Sequence, residues 1–384
     1  MPETLSPARL SHDLSVRDLT DPAGGAHAMQ PLLDRIVTAL VRAWDIPAQV
    51  HRGERIVAIA DNYDRLGYDP ADVTREARYT RYVDDQRMLR SHSSALIPAA
   101  LRSLAAAAAP APDDVLLVCP GVVYRRDAID RLHSGTPHQL DLWRITRRAE
   151  PTSDAELEDM VRTLVGSVLP GARIRLEPRV HPYTLHGRQV DVLCDGEWIE
   201  VAECGLAHPE VLRRAGLGDG HAGLALGMGL DRMLMLVKGI PDIRLLRSAE
   251  PRVAGQMLDL APYRPVSVMP AAVRDLSVAV PAGDLAEDLG DRVRDALGAQ
   301  ADCVESVEIV TRTPIADLPE RARARLGATV DQDNLLVRIV LRDLERTLTA
   351  PEANRLRDRV YAAIHRGTVH EWIGPEGAPV QQSA

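Results

Sequence analysis

Apolar positions recur every three or four residues through 28–44, AMQPLLDRIVTALVRAW, and this spacing predicts an amphipathic helix with one buried side. The same spacing returns over 153–168, where Ser153 and Asp154 are both suited to cap the first turn. Elsewhere the pattern shortens. Residues 115–125 and 139–146 predict two strands flanking a polar loop, and 173–177, 189–193 and 198–202 predict three more. The tract 104–112, LAAAAAPAP, is low in complexity but short, and reads as a helix end and turn. Residues 223–232, GLALGMGLDR, read as a glycine-rich strand running into a helix that carries an arginine.

From about Pro262 the pattern changes. APYRPVSVMP is rich in proline and predicts the connection into a second domain. Beyond it come strand 272–280, helix 283–297, strand 303–312, an irregular stretch, strand 334–342, helix 350–364 and a last strand 368–372. That order, βαββαβ, is the ferredoxin-like arrangement. The predicted fold class is therefore α+β, with a larger antiparallel-sheet domain over 20–261, a ferredoxin-like domain over 262–374, and tails at 1–19 and 375–384. A chain of 384 residues is long enough for each domain to bury its own core.

Composition narrows the function. No apolar run is long enough to cross a bilayer and no leader precedes the first helix, which predicts a cytoplasmic protein. Cys119, Cys194, Cys204 and Cys303 are scattered without CxxC pairing, so neither a disulfide framework nor a zinc site is expected. A formal net charge of -9 argues against nucleic-acid binding by bulk positive charge, while leaving room for a local arginine stripe on phosphates. Lys238 is the only lysine, and the chain contains no phenylalanine at all.

The run at 223–232 is the most informative text in the chain. Gly223, Gly227 and Gly229 allow a backbone to approach a ligand closely, and Arg232 can set a planar charged fork on phosphate or adenine. The run matches neither the phosphate loop GxxxxGK[ST] nor the dinucleotide fingerprint GxGxxG. It resembles motif 3 of class II aminoacyl-tRNA synthetases, and among them the phenylalanyl-tRNA synthetase catalytic subunit. WIEVAECGLAHPEVLRRAG from Trp198 resembles the segment before motif 3, CPGVVYRRDAIDRLHSGTPHQLDLWRI from Cys119 resembles motif 2, MLRSHSS from Met88 resembles the amino-acid-holding strand, and TDPAGGAHAMQPLLDRIV from Thr20 resembles the motif 1 entry. The C-terminal segment resembles the ferredoxin-fold anticodon-binding domain, and the fusion resembles the single-chain organellar form. The resemblance covers 20–373.

It implies an ATP-dependent ligase that joins an amino acid to tRNA, with ATP and Mg2+ as cofactors. Arg125 and Arg232 are the implied catalytic residues. Arg125, Asp127, His133, Arg232, Gly227 and Gly229 would bind ATP, and Glu200 would hold Mg2+. His92, Ser94, Gln139, Asp141, Leu224 and Leu226 would hold the amino acid. On the tRNA side the implied contacts are Arg338, Arg342 and Arg346, together with the RARAR run at 321–325. Bland alternatives stand beside these roles: a strand-end charge for Arg125, a helix-face ion pair for Arg232, a solvated loop for His133, and a paired strand carboxylate for Glu200. The implied partner is phenylalanine tRNA, and the implied state is monomer or homodimer.

The chain departs from the family at its pocket. Leu224 and Leu226 stand for two phenylalanines, Asp141 for glutamate, Pro137 for an aromatic residue and Glu203 for glycine, while Leu185 and Gln189 each remove a carboxylate. Three readings follow: a ligase for phenylalanine and its tRNA, a ligase for a related or non-protein amino acid, and a non-catalytic paralogue that keeps the fold.

Overall fold

The computed structural model describes residues 4–75, 80–107, 112–148, 151–218, 220–266, 269–370, 372–373 and 379–380. It divides into two compact units, one of Met1–Arg125, Thr136–Pro241 and Ala254–Tyr263, the other of Arg126–Gly135, Asp242–Val253 and Arg264–Ala384.

In chain order the first unit carries helix α1 (Pro7–Ser15), α2 (Met29–Trp44), strands β1 (Ala48–Val50) and β2 (Ile56–Ala58), α3 (Ile59–Asn62), β3 (Arg87–Leu89), α4 (Ile97–Ala105), β4 (Asp114–Val122) and β5 (His138–Arg147). It continues with α5 (Asp154–Val168), β6 (Ile174–Pro178), β7 (Thr184–Cys194), β8 (Glu197–Ala207), α6 (Pro209–Arg214), β9 (His221–Gly229) and α7 (Leu230–Lys238). Its main sheet runs β1-β4-β5-β9-β8-β7-β6. Only the edge strand β1 pairs in parallel, with β4; the other pairings are antiparallel. β2 and β3 form a separate two-stranded ladder.

Helix α2 forms where the apolar spacing predicts it, burying Met29, Leu32, Leu33, Ile36 and Leu40 on one side and packing against α5. α5 starts at Ser153, whose hydroxyl accepts from the Glu156 amide while the Glu156 carboxylate accepts from the Ser153 amide. This reciprocal cap fixes which of the two predicted residues begins the helix. On one face of the sheet, Leu117, Cys119, Trp143, Ile145 and Ala225 form a core with Ile97, Leu101 and Leu104 of α4 and with Val211 and Leu212 of α6. Helix α4 ends at Ala105, and 108–111 of the low-complexity tract lie outside the described residues.

Helix α8 (Pro251–Ala254) follows, and the second unit then builds β10 (Ala272–Pro281), α9 (Ala286–Leu297), β11 (Val304–Pro314), α10 (Glu320–Leu326), β12 (Gln332–Leu341) and α11 (Ala350–Ile364). Its antiparallel sheet has the order β10-β12-β11, and α9 and α11 bury Leu289, Val293, Leu356 and Val360 with Val278, Val337 and Ile339 of the strands. Two expectations are corrected. Among the described residues this sheet has three strands: 368–370 carry none, Glu371 lies outside the described residues, and Trp372–Ile373 pair with Pro379–Val380 in a ladder of their own. The stretch read as irregular holds α10, whose seven residues contain the RARAR run. No helix among the described residues is long and apolar enough to cross a membrane.

Candidate functional site

The site lies on one face of the main sheet, and the strand register shows how it is built. Asp141 pairs with Gly227, which pairs with Glu203, which pairs with Gln189; one step along, Gln139 pairs with Gly229. Side chains on one strand alternate between faces, so Gln139, Asp141, Gly227, Gly229, Glu203 and Gln189 share a face. On β9 that face reads Gly223, Ala225, Gly227, Gly229, a trough without bulk. Leu224 and Leu226 fall on the other side, opposite Arg144 and Leu142, and are fully buried there. They are therefore core residues, which corrects their expected place in the amino-acid pocket.

Two of the trough glycines are not demanded by the fold. A Cβ on Gly227 would meet nothing nearer than Asp141 Oδ2 at 3.5 Å, and one on Gly229 nothing within 4 Å. Gly223 differs, since its Cβ would lie 2.6 Å from the Arg144 carbonyl. The open space over Gly227 and Gly229 is the property expected of a backbone that a ligand approaches.

Asp141 is 3% exposed, and its Oδ2 accepts from Ser93 Oγ at 2.6 Å and Ser94 Oγ at 3.0 Å. Burial pushes its carboxyl up to about 6 against the pull of Ser93, Ser94, Trp143 and Arg125. Gln139 Oε1 accepts from the Ser93 amide at 3.1 Å. The segment after β3 is thus fastened to β5 by Gln139 and Asp141, two of the residues expected to hold the amino acid, an arrangement whose remaining lone pairs suit a cation. His92 is driven down to about 3 by burial and by Arg125, so its ring is neutral at pH 7. Its Nε2 lies 3.3 Å from Asn62 Nδ2, while Nδ1 is buried without a hydrogen-bond partner among the described residues. A bound acceptor or donor would satisfy it.

Arg125 leaves β4 with Nε donating to the Ser91 carbonyl at 2.8 Å, and its charge acts on both His92 and Asp141. Arg232, in the first turn of α7, donates through Nη1 to the Glu200 carbonyl at 3.0 Å. Glu200 reaches the site by a bulge. Val190 pairs with Ala202 but Asp191 pairs with Glu200, so Val201 is the extra residue and Glu200 joins Glu203 on one face. Burial and Glu203 push the Glu200 carboxyl up, and Arg232 and Arg179 draw it back. Among the described residues no group of three or more His, Cys, Asp or Glu is gathered for a metal ion. A hard cation that takes one carboxylate and completes its shell with phosphate oxygens and water fits Glu200.

The aromatic wall is the part that sequence reasoning missed. Tyr183 stacks against Trp143 at 6.2 Å and His181 at 5.7 Å and tilts against Tyr68 at 6.2 Å, and Tyr68 stacks on His92 at 5.7 Å. Burial pushes the Tyr183 hydroxyl well up, and Ser94 draws it back. His181 is braced by Glu203 at 3.1 Å and Thr184 Oγ1 at 3.1 Å, and Arg179 holds the other Glu203 oxygen at 3.0 Å. Asp127 and His133 belong to the second unit and are described there. Arg294 donates to the Asp127 and Ala128 carbonyls at 2.5 and 2.8 Å, and His133 Nδ1 lies 2.7 Å from Asp130.

Three of the expected tRNA arginines are paired. Arg338 bridges Asp275 at 2.8 Å; Arg342 binds the buried Glu305 and donates to the Met269 carbonyl at 2.5 Å; Arg346 bridges Glu352 at 3.0 Å. Arg321, Arg323 and Arg325 on α10 carry no ion pair among the described residues, and Arg321 and Arg325 are exposed.

With this geometry in place, the family model described as tRNA synthetases class II core domain (F) matches residues 11–257, well over half of the chain. The chain belongs to that family. Its core is that of an aminoacyl-tRNA ligase. A phenylalanine–tRNA ligase alpha subunit of Nostoc punctiforme is 28% identical over 64% of this chain and 70% of its own length. The alpha subunit from Psychrobacter arcticus is 31% identical over 59% and 63%, and that from Haemophilus ducreyi 30% identical over 62% and 69%. A solved pyrrolysyl tRNA synthetase of Desulfitobacterium hafniense aligns over 62% of this chain and 77% of its own at 17% identity and a TM-score of 0.43, too slight a likeness to carry any argument.

Proposed function

We propose that the chain activates phenylalanine, or a closely related aromatic amino acid, as its adenylate and transfers it to tRNA. The observation that carries this reading is the Ser93–Asp141–Ser94 cluster with Gln139, set beside the ligand-ready trough of Gly227 and Gly229. Asp141 and Gln139 would hold the ammonium, and the neutral ring of His92 with Arg125 the carboxylate. The reaction brings a carboxylate oxygen to the α-phosphorus of ATP, and the chain's part is positioning and charge neutralisation. Arg125 would sit at the developing charge and Arg232 on the nucleotide. Mg2+ held at Glu200 would draw charge from the phosphates. The second unit is proposed as the anticodon-binding domain, with the arginines of α10, which carry no ion pair among the described residues, as its phosphate contacts. A cytoplasmic protein acting as monomer or homodimer completes the proposal.

A second reading rests on the wall. Tyr68, Tyr183, His181 and Glu203 make it more polar than a plain hydrocarbon ring requires, which favours a ring-hydroxylated or heteroaromatic amino acid. Amino-acid-dependent exchange between ATP and pyrophosphate separates the two. Exchange strongest with phenylalanine supports the first, preference for a polar ring the second, and ATP binding without exchange of any amino acid removes both in favour of a non-catalytic paralogue.

A further inference from the structure

Gln139 and Arg232 lie on different elements, and one buried carboxylate ties those elements together. Asp231, in the first turn of α7 and 5% exposed, accepts from the His138 backbone amide through Oδ2 and faces the His138 ring through Oδ1, 3.0 Å from Nδ1. His138 opens β5 and is fully buried. Its Nε2 lies 3.0 Å from the Leu19 amide. An amide N–H can only donate, so Nε2 accepts and the ring proton sits on Nδ1, directed at Asp231. Asp18 completes the arrangement from the N-terminal segment, accepting from the Val122 amide at 3.0 Å and from Thr20 Oγ1 at 2.7 Å. Both members of the clasp immediately precede a ligand-facing residue. On β5, where successive side chains alternate, His138 points to the back of the sheet while Gln139 points to the site.

We propose that His138 and Asp231 are positioning residues, whose clasp sets the separation of Gln139 and Arg232 and so aligns amino acid with nucleotide while touching neither. This rests on the reading of the site as one that activates an amino acid. Its physical content is that an in-line attack tolerates little error, since a displacement of about 1 Å costs on the order of 10²-fold in rate.

The test uses the full chain with Asp231→Asn, His138→Asn and His138→Gln. Asp231→Asn leaves one acceptor oxygen for two donors. Exchange of pyrophosphate should fall on the order of 10²-fold, with KM for amino acid and ATP rising together. His138→Asn, whose amide nitrogen stands close to the place of Nδ1, should recover most of the activity, and His138→Gln should not. A lower Tm with both KM values unchanged would reduce the pair to a structural role and overturn the proposal. Amide hydrogen exchange supplies a second readout. Faster exchange in Asp231→Asn at 139–141 and 230–232 together supports the clasp, and unchanged or unlinked exchange at the two segments overturns it. Absence of pyrophosphate exchange by the unaltered protein would instead remove the reading of the site, and amide exchange would then still decide whether the clasp links β5 to α7.

Discussion

A carboxyl that titrates near 6 in the fold and at 3.8 ordinarily makes Asp141 the most pH-sensitive group of the site. Between those values the folded chain keeps a proton that the unfolded chain has lost, so this contribution to stability is full below about pH 4 and lost as pH rises through about 6. Asp141→Asn should therefore raise Tm at pH 8 and flatten its pH dependence, and thermal melts from pH 4 to 8 check this. Activity runs the other way, because the ionised form attracts an ammonium: KM for the amino acid should climb as pH falls below about 6. Leu226→Ala separates core from pocket. Filling a fully buried site, it should cost about 2–5 kcal/mol in denaturant melts, with KM for the amino acid in the folded fraction unchanged; a raised KM at unchanged stability would return Leu226 to the pocket.

At the scale of elements, the glycine strand carries the argument. Gly227→Ala fits the fold without a clash, so Tm should hold while KM for ATP rises; a drop in Tm with KM unchanged would make the glycine a folding requirement. Ser153→Ala removes one half of the α5 cap and should cost about 1 kcal/mol in denaturant melts without altering exchange kinetics. The elements were legible in sequence where periodicity is strong. α2, α5, β4 and β5 stand within a few residues of their expected bounds because their buried positions repeat without interruption. Legibility failed where tertiary pairing decides. Residues 368–370 have strand composition but no place in the β10-β12-β11 sheet, and the face on which Leu224 and Leu226 lie follows from the register of β9 against β5. A signal for the latter was available in the text: 223–230 alternates small and large, GLALGMGL, and the small set marks the face left open. Tyr68, Trp143 and Tyr183 come from three distant segments, so no local pattern could assemble the wall.

For the whole molecule, charge and composition make the remaining claims. Because Arg338, Arg342 and Arg346 already neutralise carboxylates, reversing Arg321, Arg323 and Arg325 to glutamate should weaken tRNA binding and reduce its salt dependence, with pyrophosphate exchange unchanged. Equal affinity of that variant in filter binding would place the contact elsewhere. A chain without phenylalanine can also be translated when charged phenylalanine tRNA, its proposed product, is scarce, and pulse labelling under phenylalanine starvation should show its synthesis persisting while ordinary proteins decline. The bulge at Val201 has a consequence of another kind. A strand with a bulge stores an offset: deleting Val201 would leave Glu200, Ala202 and Glu203 in a regular two-residue alternation with both carboxylates on one side, whereas straightening the strand with Val201 kept in the ladder would carry Glu200 to the opposite side of the sheet from Glu203. In the second case no side chain of the site would change identity, yet its charge map would be redrawn, so the pairing offset of this strand sets the chemistry of the site as directly as the residues it presents.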